Sequence, residues 1–134
     1  MEWKRFLLAV LAAGVLSSLT DWFFGGVLFH EKYNVYPEVW RPALRKSDAP
    51  AILGSIALGF LTSAAFVAVC VAFHVYGYRN ALRLAALCWL MVPLPLLITN
   101  ALFMKIHPLV VVSHSLGWLA KLCVAALVVA TLFA

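Results

Sequence analysis

Four apolar runs fill most of this chain, and each is close to the roughly 20 residues that an α-helix needs to cross a bilayer. That pattern leaves little choice of fold. With 66% hydrophobic and 11% charged residues in 134, a water-soluble domain would have nowhere to hide so much apolar surface. Lipid is therefore the expected solvent and partner. Inside lipid every backbone N–H and C=O must be satisfied within the protein, which selects helices. The sequence predicts one all-α domain over residues 1–134: an integral membrane four-helix bundle with an aromatic, proline-rich loop between the first two helices. The predicted spans are 6–29, 51–75, 84–104 and 109–133.

The first run follows Lys4 and Arg5 and ends in "WFFGGVLF". It is longer than a signal-peptide core and lacks a small-residue cleavage pattern, so it reads as a retained helix. The next segment, "HEKYNVYPEVWRPALRKSDAP", sets Tyr33, Tyr36 and Trp40 among charges and prolines. Prolines at this density exclude a long helix. Aromatic rings among charges suit the headgroup region, so an interfacial cap is expected. In the second run Ala51, Ser55, Gly59 and Ser63 step by four, a stripe that predicts close helix packing. Pro93 and Pro95 predict a kink in the third run. The short link "KIHPL" makes the last two spans an antiparallel hairpin.

The formal net charge is +5, yet the basic residues flank apolar runs, where they anchor helices. They form no phosphate-binding surface, and no nucleic-acid partner is expected. Lys4, Arg5, Arg79 and Arg83 lie on one side; Lys32, Arg41, Arg45, Lys46 and Lys105 lie on the other. This near-balance leaves dual topology open. Lys4 and Arg5, next to the first span, favour cytoplasmic termini. Cys70, Cys88 and Cys123 fall inside apolar runs without a CxxC, which suggests neither a disulfide framework nor a zinc site. GxSxG, HExxH and phosphate-cradling glycine motifs are absent.

A few ionisable and polar residues fall inside the runs. With a rise of about 1.5 Å per residue, Asp21 lies roughly 12 Å below the loop-side end of its span and His114 roughly 8 Å below the same end. Thr99 and Asn100 reach a similar depth, and Lys121 lies about two turns deeper. His107, His114 and Lys121 recur every seven residues, with Gly117 on the same face. Gly14, Ser18, Asp21 and Gly25 form a small, polar stripe on the first span. An ionised group at bilayer depth costs several kcal/mol unless paired or wetted. The two stripes are therefore expected to face each other, with Lys121 or His114 as the partner of Asp21. Such a pair can equally serve only to hold helices together. His74, at the far end of the second run, reads as interfacial.

Two patches carry a family resemblance. "GGVLFHEKYNVYPEVW" is an aromatic loop after a glycine-rich span end, and "TNALFMKIHPLVVVSHSLGWLAKLCVAALVVATLF" combines an Asn, a nearby aromatic, a Pro-Leu pair and a Gly-aromatic step. Together they resemble a domain-of-unknown-function family of small four-span bacterial membrane proteins. Where that family often has a Trp-Tyr pair, this chain has Leu28, Phe29 and His30, and the position of His114 often carries Asn there. The resemblance implies a helical membrane protein and assigns no activity.

These features point to a multi-pass protein of a bacterial inner membrane that binds or handles a small lipophilic molecule in a polar pocket under the loop. The candidate ligand-binding residues are Asp21, Thr99, Asn100, His114 and Lys121, with His30 and Trp40 from the loop. No cofactor is expected; a metal or haem on His30, His107 and His114 is a lesser alternative that matches no ligand-spacing signature. A homo-oligomer is compatible with the pattern. One alternative is a proton-coupled transporter, since the chain resembles the small multidrug efflux proteins in outline, with Asp21 in place of their membrane glutamate. Lys121 and His114 count against that role. Another is an isomerase or hydrolase using Asp21 and His114 as an acid/base pair.

Overall fold

A computed structural model describes residues 2–133, apart from the Arg45 side chain. Helix α1 (Trp3–Asp21) continues as a π-helical stretch, Trp22–Leu28. The loop is built from three short 3-10 turns, His30–Asn34, Pro37–Val39 and Pro42–Arg45. Helices α2 (Ala49–Ala72), α3 (Tyr78–Met91), α4 (Pro93–Phe103) and α5 (Pro108–Phe133) follow. With α1 joined to its extension and α3 to α4, four segments of 24 to 26 residues are long and apolar enough to cross a membrane. The chain is thus an all-α, multi-pass membrane protein.

Helix α5 is the centre of the bundle and packs on each of the other four helices. The tightest packing lies in the half away from the loop. There Ala9, Ala13 and Ser17 of α1, Ala81 and Ala85 of α3, and Ala125, Ala126, Val129 and Ala130 of α5 are buried, with Phe66, Val67 and Cys70 of α2 beside them. Lipid tails are as apolar as leucine, so helices associate through close backbone approach, which small side chains permit. The hydroxyls add no unsatisfied groups. Those of Ser17, Ser18, Ser63 and Thr131 donate to the carbonyl four residues earlier at 2.6–2.9 Å.

The third span breaks at Val92, with φ −126° and ψ −67°. Pro93 follows at once and has no N–H to continue the ladder. Before the break, α3 begins at Tyr78, so Arg79 and Arg83 already lie on its first turns. The C-terminus of α2 closes by a Schellman motif: His74 sits in the left-handed region (φ 55°) and donates to the Val71 carbonyl, while Val75 donates to Cys70 at 2.8 Å. His74 thus caps a helix at its exposed end.

The small-residue stripe of α2 behaves differently from its sequence reading. Ala51 and Ser55 are exposed, and only Gly59 and Ser63 are buried. A Cβ added at Gly59 would meet nothing within 4 Å. The close approach between α1 and α2 is instead at Gly14, where a Cβ would overlap the Phe60 ring. Gly14→Ala should therefore lower stability by about 1–3 kcal/mol through overpacking, while Gly59→Ala should leave the melting temperature in detergent unchanged or raise it. Equal losses in both variants would show that the stripe of α2 carries the contact after all.

Candidate functional site

Lys121 is the most buried charge among the described residues. Its Nζ lies 3.0 Å from Asp21 Oδ2, with the Lys121 side chain 9% exposed and that of Asp21 34%. The indole of Trp118, one turn earlier on α5, lies beneath the ammonium at 4.6 Å. A carboxylate on one side and an aromatic face on the other replace the water that the ammonium gave up. Asp21 lies close over Gly117: a Cβ there would stand 3.4 Å from Asp21 Oδ1, in ordinary van der Waals contact. Helices α1 and α5 are thus joined by charge at this level.

One turn nearer the loop, Tyr33 fastens the cap to the bundle. Its hydroxyl lies 2.8 Å from Ser113 Oγ, and Ser113 Oγ lies 3.1 Å from the Phe24 carbonyl. Serine has one hydroxyl proton and the carbonyl can only accept, so Ser113 donates to Phe24 and Tyr33 donates to Ser113. The π-helical stretch also sends the Phe29 N–H to the Phe24 carbonyl, at 3.1 Å. This carbonyl, at the end of the first span, therefore receives two donors. Burial pushes the Tyr33 phenol above its ordinary value; the Ser113 bond opposes this and the Asp21 charge adds to it. The phenol stays protonated and remains a donor. The Tyr33 ring stacks on Trp40 at 5.7 Å and meets His114 edge-on at 5.5 Å, and the Trp40 indole N–H donates to the Tyr33 carbonyl.

The outer edge of the cap is held by exposed charges. Lys105 Nζ pairs with Glu38 Oε1 at 2.9 Å and lies 4.6 Å over the Tyr36 ring, which tilts against His107. The Glu38 carboxyl is held below its ordinary value, first by its own backbone N–H and then by Lys105. Lys105 is raised in turn by Glu38. Both stay charged, although a pair this open contributes little stability. The gap under the cap measures ≈ 10 Å³, about the space of one water molecule.

The sequence candidates divide clearly. Asp21 and Lys121 come together; Trp40 and His114 gather separately, around Tyr33 nearer the loop. Thr99, Asn100 and His30 are exposed and make no side-chain hydrogen bond among the described residues. His30, His107 and His114 do not gather into a metal-holding group, and no cluster of three His, Cys, Asp or Glu side chains occurs among the described residues. Tyr33 and Ser113 escaped the sequence reading. Ser113, Gly117 and Lys121 step by four and are all buried, a small-residue approach to a lysine that was open to notice. Tyr33 sits in an aperiodic loop and gave no signal.

Four membrane-spanning helices around an intramembrane ion pair define a small polytopic membrane protein. A family model described as "Protein of unknown function (DUF1761)" matches residues 8–130, so the chain belongs to that family. No curated protein and no solved structure matches it.

The ion pair makes a direct prediction. Lys121→Met should destabilise the protein by about 2–3 kcal/mol, less than a fully enclosed pair because Asp21 is one-third open. Asp21→Leu combined with Lys121→Met should recover most of that loss. Additive effects in this double-mutant cycle would mean that the pair contributes nothing to helix association.

Proposed function

We propose that the protein binds a small amphipathic molecule at the Asp21–Lys121 layer, with a hydroxyl or N–H head on the pair and an apolar body in lipid. The observation that carries this reading is the asymmetry of the pair: the ammonium is enclosed, while the carboxylate is one-third open at membrane depth. Lys121 takes Oδ2, so Oδ1 keeps acceptor capacity for a donor on the ligand. His114, exposed beside Tyr33, adds a second polar group nearer the loop. The water-sized gap under the cap favours approach from the open flank of the pair or displacement of the cap. The reading places the protein in a bacterial cytoplasmic membrane with both termini inside, on the strength of Lys4 and Arg5 before the first span.

Transport of cationic drugs is the weaker alternative, because Asp21 already holds a cation of its own. Acid/base catalysis by Asp21 and His114 is weakened likewise, since the carboxylate's partner is Lys121 and the imidazole faces Tyr33.

The test is tryptophan fluorescence of the purified protein in nanodiscs, titrated with dodecan-1-ol and with its methyl ether. Trp118 beside Lys121 should report a saturable change with the alcohol and a much weaker one with the ether. The change should vanish in the Asp21→Leu/Lys121→Met double variant. Equal responses to both probes, or a full response in the double variant, would exclude a donor-binding pair.

A further inference from the structure

The mouth of the cap carries a second kind of chemistry, apart from the ion pair. It opens between the loop and the α4–α5 link, and Lys32, Tyr36, Trp40, Lys105 and His107 contribute to its lining. Lys32 has no ion-pair partner among the described residues, and Lys105 shares Glu38. Lys105 is offset by Glu38 and Lys32 is not, so the lining keeps a surplus of one positive charge. His107 adds a fixed donor. The Leu109 backbone N–H points at His107 Nδ1 at 3.1 Å, so Nδ1 is an acceptor and the ring proton sits on Nε2.

We propose that this mouth binds a phosphate group, carried either by an anionic phospholipid headgroup or by dissolved inorganic phosphate. A phosphodiester has one negative charge, which matches the surplus, and its oxygens accept from the ammonium and imidazole N–H groups. Tyr36 and Trp40 are the amphipathic rings expected at headgroup level. Just before Lys105 in the chain, Leu102 and Phe103 are 76% and 87% exposed. They give the acyl chains of a lipid an apolar surface next to the basic mouth. Only the gap at the base is water-sized, so the phosphate rests at the opening.

Native mass spectrometry of the full chain in detergent tests this, with phosphatidylglycerol, phosphatidylcholine and inorganic phosphate as probes. Wild type should retain phosphatidylglycerol in preference to phosphatidylcholine, whose choline cation meets the lysines. Lys32→Gln should weaken retention about fivefold, and Lys32→Gln with Lys105→Gln about twentyfold. Arg79→Gln with Arg83→Gln, at the opposite membrane face, should change nothing. The Lys105 side chain is 63% exposed and Lys32 is half-buried, and an unchanged melting temperature in phosphate-free buffer checks that the variants fold. Displacement of the lipid by millimolar inorganic phosphate would assign the site to the free anion; its failure to displace would assign the headgroup. Either result supports the site. Unchanged retention in the lysine double variant, or equal loss in the arginine control, would overturn it.

Discussion

An ammonium group cannot stay charged within a bilayer unless something takes the place of water around it. The rest of this bundle is arranged about that requirement. Lys121 lies on the central helix, so its partner must come from a neighbour that can approach closely. Asp21 on α1 does so, with its carboxylate over Gly117 of α5. The pair then sets the rotation of α1 against α5, and with it the position of the π-helical stretch that follows Asp21.

The same demand for satisfied polar groups sets the hydrogen bonds made to α5. Tyr33 donates to Ser113, and Trp89 of α3 donates to the Ser115 carbonyl at 2.8 Å. Tyr78 lies 3.2 Å from Thr131, whose own proton goes to the Leu127 carbonyl, so the tyrosine is again the donor. Each of these ends on α5. In water such bonds would add little to stability. In lipid, where an unmade bond has no solvent to replace it, they fix where each neighbour sits along the central helix.

Much of this was legible in the sequence. Apolar run length gave the four spans, Pro93 gave the break, and the polar stripes brought Asp21 and Lys121 together. Helical rise alone set Asn100 at the depth of Asp21, but depth says nothing of direction, and the break at Val92 interrupts the helical phase that would carry α3's facing into α4. That is why Asn100 and Thr99 face outward. The stripe on α2 misled because small residues mark where helices can approach, and only half of α2 lies against a neighbour. The seven-residue repeat pointed to His114, whereas the buried face of α5 runs through Ser113. The cap was opaque for a plainer reason. Its 3-10 turns have no periodicity, so nothing before the fold singled out Tyr33 from Tyr36 as the residue that reaches the bundle.

The whole arrangement rests on Asp21 neutralising Lys121 within the membrane. Solid-state nuclear magnetic resonance of isotope-labelled protein in bilayers reads it directly. An ion pair gives a through-space contact between Lys121 Nζ and Asp21 Cγ, together with the carbon shift of an ionised carboxylate. A protonated Asp21 carboxyl with no contact to Lys121 would contradict it.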